Sequence, residues 1–470
     1  MFKPTPTQPH PDLNLVPRVV NIPGGPKLEF CFDQPQLSSD GGVLLAACDP
    51  QALALIDRLA GCIRTGRRKC RHENAALMRQ RVLSILAGYY DTNDATALRH
   101  DPVMQAAVGL MPGADSVLAS QPSLSRLENE VSRTDLMRLF YEMIDVFLDG
   151  YEGKPPPMIV LDLDPTAVIT YGQQELSFFN GHINDHCLMP FHLYEGTSGR
   201  LITTVLRTGK TPTAAEILNL LKRVVFAIRA RWPRLPICLR ADGHHSKPGV
   251  LEWCDAVKVD YIIGYAPNAR LEREFAQTIM EARKRYAQHK EQGFGEREVR
   301  TYGSDSHAGG AWDGTERRVV ARVICGPNGL DARFIVTSFE SAGAKALYEQ
   351  VYCGRGNTEL YIRAHKLELG GDRLSCRKAS ANQMRLFLHS AAYIIMEQMR
   401  RRLLGGTKLA RATFGRIRLE LMKVAVRLDV LKDRVRVHLS WRLPALESFV
   451  GVLDALGARL GRSATATASG

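Results

Sequence analysis

Tyr352-Cys353-Gly354-Arg355-Gly356-Asn357-Thr358-Glu359, running on to Lys366, carries a phenol, a guanidinium, a carboxylate and an ammonium at helical spacing. At about 100° per residue, Tyr352, Arg355, Glu359 and Lys366 fall within an arc of roughly 60° on one helix face. A carboxylate flanked by cations suits a site for a divalent metal and nucleic-acid phosphates, because the metal needs hard oxygen ligands and the phosphates need fixed positive donors. One Arg/Glu pair at this spacing is commonly a solvated ion pair. Four such groups on one face ask for more.

Upstream, the pattern is that of alternating strands and helices. Strands are predicted over 158–164, 188–194, 201–206, 236–241 and 259–265, with helices over 213–231 and 247–257. Three strands, helix, strand, helix, strand is the order of a ribonuclease H-like α/β core. Nucleases of that kind cut phosphodiesters with two metal ions about 4 Å apart, held by converging carboxylates. Asp162 and Asp164 are two apart and share a sheet face, and Pro165 puts Asp164 at the strand's carboxyl end. Asp242 closes the 236–241 strand in the same way, and Gly243 beside it allows close approach. His244 and His245, beside Asp242, read as polar loop residues in preference to groups that support that carboxylate.

The spacing Tyr-x2-Arg-x3-Glu-x6-Lys resembles the signature around the last acidic residue of a superfamily of bacterial DDE transposases, and the sequence from Tyr352 to Glu359 is similar to the group 1 DDE transposases of the insertion sequence 1380 family. The likeness runs from about Leu37 to about Arg402. It includes Asn93-Asp94-Ala95 with Leu98-Arg99-His100-Asp101, Leu118 to Gln121 leading into Leu124 to Asn129, Gly172-x-Gln174-Glu175, and Asp372-Arg373-x-Ser375 with Asn382-Gln383-x-Arg385. Tyr171 stands where the family commonly has His, and Arg240-Ala241-Asp242-Gly243 replaces its usual Arg-Gly-Asp-Ser; neither change removes a carboxylate.

This resemblance implies a transposase with Asp164, Asp242 and Glu359 as catalytic metal ligands and Asp162 as a candidate auxiliary acid. Two Mg²⁺ ions are expected, with Mn²⁺ as a substitute. Tyr352, Arg355 and Lys366 then grip phosphates, and Trp312 is a candidate to stack on an unpaired base, its alternative being a core tryptophan. The implied partners are double-stranded DNA, as terminal inverted repeats and as target, and a second copy of the chain in the DNA complex. A ribonuclease H-like nuclease without strand transfer and a catalytically silent DNA-binding protein are the alternatives.

The chain's 470 residues carry a formal charge of +13 and a pI near 9.3, a field that favours an anionic polymer. Arg64, Arg67, Arg68, Lys69 and Arg71 form a basic cluster suited to phosphate contact. Ten cysteines without a CxxC pair argue against a disulfide scaffold, and Cys62, Cys70 and His72 are poorly spaced for zinc. Without a long apolar run or a signal-peptide stretch, no membrane partner is expected, and the protein is read as cytoplasmic and nucleoid-associated.

The expected organisation is an extended leader (1–36), a helical DNA-binding region (37–150), a ribonuclease H-like core in two parts (155–268 and 343–402) interrupted by a β-rich insertion (269–342), and a basic helical C-terminal region with a disordered tail (403–470). Residues 401–470 hold fourteen Lys/Arg against five Asp/Glu. In the N-terminal region the clearest helix starts near Asp135, preceded by Ser125 and Glu128 at capping-box spacing.

Overall fold

The computed structural model describes residues 16–64, 71–113, 116–294, 297–309, 312 and 314–467, with backbone alone over 459–467. The chain divides into two compact units. One comprises Val131–Leu367 and Gly371–Ser390; the other comprises Met1–Glu130, Glu368–Gly370 and Ala391–Gly470.

The first unit is built on a mixed sheet of eight strands among the described residues. Their order across the sheet is Val299–Ala308, Glu316–Gly326, Gly329–Thr337, Asp260–Tyr265, Ile237–Ala241, Ile159–Pro165, Phe191–Glu195 and Arg200–Val205. The three central strands, starting at Ile159, Ile237 and Asp260, run parallel, and antiparallel strands flank them on both sides. Every residue of Ile237–Ala241 is buried, as a parallel strand covered on both faces requires. The sequence reading placed the strands well, except that Pro190 divides the expected 188–194 run into Asp185–Leu188 and Phe191–Glu195.

The β-rich segment is joined to the core: Gly329–Thr337 pairs antiparallel with Asp260–Tyr265, so its strands continue the central sheet. The helix Arg133–Asp149 belongs to this sheet-bearing unit rather than to the N-terminal helices. Its capping box is Ser132 with Asp135; Ser125 and Glu128 lie inside the preceding helix, Gln121–Asn129.

The Glu359 segment lies on one sheet face. Leu347 and Tyr348 pack with Cys238, Ile262, Val320 and Ile335 in a buried cluster, with Val351 and Tyr352 at its margin. This segment is not one regular helix. It is a π-helix over Leu347–Tyr352, a 3-10 turn over Cys353–Arg355, an α-helix over Gly356–Arg363 and a second π-helix over Ala364–Glu368. π-helical turns are rare and recur at functional sites.

The second unit carries the helices Pro50–Gly61, Asn74–Ala87 and Gln121–Asn129. Arg81, 1% exposed, is held there by Glu128 Oε1 at 2.9 Å and the Tyr90 carbonyl at 2.6 Å. Its C-terminal part is not all helical: Val426–Val430 and Val435–Leu439 pair with each other, and the first of them pairs with Leu37–Ser38, before the helix Leu446–Thr467. Within the expected leader, Arg18–Asn21 and Lys27–Phe30 form an exposed hairpin. No described helix is long and apolar enough to cross a membrane.

Candidate active site

Asp164 and Asp242 stand at the carboxyl ends of neighbouring parallel strands. Asp162 pairs with Arg240 in the ladder, so the positions two residues further along each strand bring Asp164 and Asp242 side by side on the same face. The Glu359 segment lies over that face. An open cleft of about 490 Å³ is lined by Asp164, Thr166, Glu359, Arg363 and Lys366, among others.

The three carboxylates interact electrostatically. Burial pushes Asp164 up to about 6, Asp242 and Glu359 add to the rise, and Arg355 and His245 oppose it. Burial also works against the charge on Asp242, but the hydrogen bond and charge of His245, joined by His244, hold that carboxyl well below the usual carboxylate range. Asp242 accepts from His245 Nδ1 at 2.7 Å, from His244 Nδ1 at 3.2 Å and from the His244 amide at 3.0 Å. His245 is fully buried. The loop reading of the two histidines is therefore corrected: both bond the Asp242 carboxylate.

Arg355 spans the acids, with Nη1 3.1 Å from Asp164 Oδ2 and Nη2 3.6 Å from Glu359 Oε1. The Glu359 side chain is 68% exposed. Among the described residues no three His, Cys, Asp or Glu side chains are close enough together to hold a metal ion. The donor chemistry nevertheless fits one. Three hard oxygen ligands that repel one another, with Arg355 already drawn onto two of them, form a site that a small divalent cation would neutralise.

Asp162 is placed differently from Asp164. It is fully buried, and its oxygens accept from Arg240 Nε and Nη2, both at 2.6 Å, and from Thr358 Oγ1 at 2.6 Å. Arg240 also donates to the carbonyls of Val351 at 2.7 Å and Gly196 at 3.2 Å. Sequence reasoning named Arg240 and Thr358 only as members of motifs and gave neither a role. The available signal was spacing: Arg240 precedes Asp242 by two residues, as Asp162 precedes Asp164, and Thr358 adjoins Glu359.

The other cationic and aromatic groups sit as follows. Lys366 Nζ donates to the Ala167 carbonyl, just past Asp164. Tyr352 is partly buried, and burial raises its phenol, with Arg355 opposing. Beside Lys366, buried His365 has Nδ1 3.3 Å from His192 Nε2 and Nε2 3.1 Å from Ser390 Oγ; burial pushes His192 down to about 4. Trp312 is 2% exposed, with Tyr265, His307 and the Arg317 guanidinium around its ring. In the other unit Arg64 and Arg71 are exposed, while Arg67, Arg68 and Lys69 lie outside the described residues.

Residues 20–460 match the family described as transposase DDE domain, group 1. No curated protein matches the chain. Among solved structures, the chain is similar to the cryo-EM structure of the piggyBac transposase synaptic complex with hairpin DNA, at 10% identity and a TM-score of 0.43, over 82% of this chain and 80% of that one. It is also similar to a pre-cleavage Mos1 transpososome, at 14% identity and a TM-score of 0.17, over 42% of this chain and 60% of that one. The Mos1 mariner paired end complex with Mn gives 15% identity and a TM-score of 0.17, over 44% and 62%.

Proposed function

Because the chain belongs to the transposase DDE domain family, group 1, we propose that it binds the terminal inverted repeats of its own insertion sequence, cuts DNA at their ends and joins the freed ends to target DNA. The observation that carries this reading is that Asp164 and Asp242 end adjacent parallel strands and Glu359 lines the cleft beside Asp164. The motif blocks around Asn93, Leu118 and Tyr352 favour the insertion sequence 1380 group within that family.

Asp164, Asp242 and Glu359 would hold two Mg²⁺ ions, with Mn²⁺ able to replace them. Bound there, the ions supply Lewis acidity at the scissile phosphate and an activated oxygen nucleophile. The remaining steps fall to the chain itself. His245 and His244 keep Asp242 ionised. Arg355 leaves the acids for a phosphate beside the scissile bond, where Tyr352 and Lys366 also bear on the backbone, positioning it without reading bases. Water attack leaves a 3′-hydroxyl, and that hydroxyl then attacks a target phosphodiester, displacing a target 3′-oxygen. Two ends in one complex call for a dimer on DNA, and the basic Arg64 to Arg71 segment contributes contacts to phosphate.

Incubation with a repeat-flanked DNA segment and a supercoiled target plasmid, in Mg²⁺, tests the reading. The expected result is joined product with repeat ends at the junctions. Cleavage without joining would instead identify a nuclease, and specific binding without cleavage a silent DNA-binding protein.

A further inference from the structure

Thr358, Asp162 and Arg240 form a buried trio within two residues of the proposed ligands in sequence, yet none of the three lines the cleft. Asp162 and Arg240 each lie two residues before a catalytic aspartate, on adjacent strands, joined by two parallel hydrogen bonds of 2.6 Å. Such bidentate pairing fixes orientation as well as distance. The same pair reaches the overlying segment at two points. Thr358, fully buried and next in sequence to Glu359, donates to Asp162 Oδ2 at 2.6 Å. Arg240 Nη1 donates to the Val351 carbonyl at 2.7 Å, where the π-helical turn gives way to the 3-10 turn.

The space around this trio is as specific as its bonds. A Cβ on Gly354 would stand 2.5 Å from Arg240 Nη1, and a Cβ on Gly196 would stand 2.4 Å from both Arg240 Nη2 and Asp162 Oδ2. Glycine at 354 is thus required by the guanidinium packed beneath it. Gly356, with nothing within 4 Å of its Cβ position, is under no such constraint.

We propose that Thr358, Asp162 and Arg240 form a positioning clamp, which sets the distance and rotation of the Glu359 helix relative to Asp164 and Asp242 and thereby the affinity of the site for its divalent cation. The inference rests on the reading of those three carboxylates as metal ligands. It assigns Asp162 to holding the site's frame in place of an auxiliary acid. Among the described residues, Glu359, 68% exposed, is anchored by the helix that bears it and the Arg355 contact. Its reach toward the two strands therefore follows where Thr358 is pinned. Groups that orient metal ligands from behind typically change metal affinity or activity about 10–100-fold when removed.

The test compares Thr358→Val, which keeps the shape and loses the hydroxyl, with Thr358→Ser, which keeps the hydroxyl. Mn²⁺ is titrated onto the full-length protein bound to a repeat end carrying a non-cleavable linkage, and free ion is counted by electron paramagnetic resonance. Thr358→Val is expected to need at least about tenfold more Mn²⁺ for half-saturation, with unchanged affinity for the DNA end, and Thr358→Ser to restore the wild-type value. Gly354→Ala, pressing on Arg240 from the other side, is expected to weaken Mn²⁺ in the same direction, and it reads the clamp even where Thr358→Val fails to fold. Wild-type Mn²⁺ affinity in both folded variants would overturn the clamp while leaving the ligand assignment intact. Absence of Mn²⁺ binding by the wild type would overturn both.

Discussion

Replacing Asp164 by Asn is expected to stabilise the metal-free protein at neutral pH while abolishing cleavage. Burial, reinforced by Asp242 and Glu359 and opposed by Arg355, raises this carboxyl from 3.8 to about 6. The unfolded chain ionises it near the ordinary value. Between roughly pH 4 and pH 6 the native state therefore holds the extra proton, and this group's contribution to stability falls as pH rises. Above about pH 6 the whole cost is present, and at about 1.4 kcal/mol per pH unit it amounts to ~3 kcal/mol. An amide carries no charge and keeps an oxygen for Arg355 Nη1, which lies 3.1 Å from the present Oδ2. Urea unfolding in EDTA, at pH 4 and pH 7.5, measures the difference between the two proteins. The expected gap is close to zero at the lower pH and about 1–3 kcal/mol in favour of the Asp164→Asn variant at the higher. A variant no more stable than wild type at pH 7.5, or a gap equal at both values, would refute the reasoning.

Four further outcomes are expected. At sub-saturating Mg²⁺, cleavage should fall as pH drops through about 6, because protonation of Asp164 competes with the metal, and raising Mg²⁺ should move that limb to lower pH. Gly356→Ala should raise stability by about 1 kcal/mol, whereas Gly354→Ala should lower it by about 1–3 kcal/mol, as denaturant midpoints will report; loss of cleavage in the stabilised Gly356→Ala protein would mark that open space as DNA's. His245→Leu removes the donor 2.7 Å from Asp242 and should lift that carboxyl toward its ordinary range, which nuclear magnetic resonance titration of a ¹³C-labelled aspartate detects. In the other unit, Arg81→Leu removes the guanidinium 2.9 Å from buried Glu128 Oε1 and should cost about 3–5 kcal/mol in that unit's unfolding.

What could be read from the sequence follows a physical division between local and non-local information. Strand ends at Pro165 and Asp242, and the capped start of the helix Ala214–Arg231, depend on neighbouring residues, and sequence patterns located them within a residue or two. The strand Val299–Ala308 was missed because its exposed positions and Gly303 hide the alternation. That glycine is there because a Cβ would meet Thr278 Oγ1 at 2.3 Å, a contact with a helix twenty-five residues earlier in the chain. The joining of Gly329–Thr337 to the core sheet is likewise a long-range pairing, and no local pattern encodes it.

The site shows the same division. Tyr352, Arg355, Glu359 and Lys366 were found from their spacing, but the assumption of one regular helix hid the π and 3-10 turns that offer the Val351 carbonyl to Arg240. Asp162 looked like a second acid because period-two spacing assigns a face without saying what covers it. Arg240, directly across the ladder, covers it. His245 read as loop because burial of a 3-10 turn against Asp242 leaves no periodic trace.

The most direct test of the central claim is cleavage of an end-labelled DNA carrying the element's terminal repeat, in Mg²⁺, by wild type and by Asp164→Asn, Asp242→Asn and Glu359→Gln proteins that still bind that DNA. The account predicts a nick at the repeat boundary with the wild type and none with any of the three variants. Wild-type cutting by Glu359→Gln would contradict it, removing the Tyr352 to Lys366 segment from the active site.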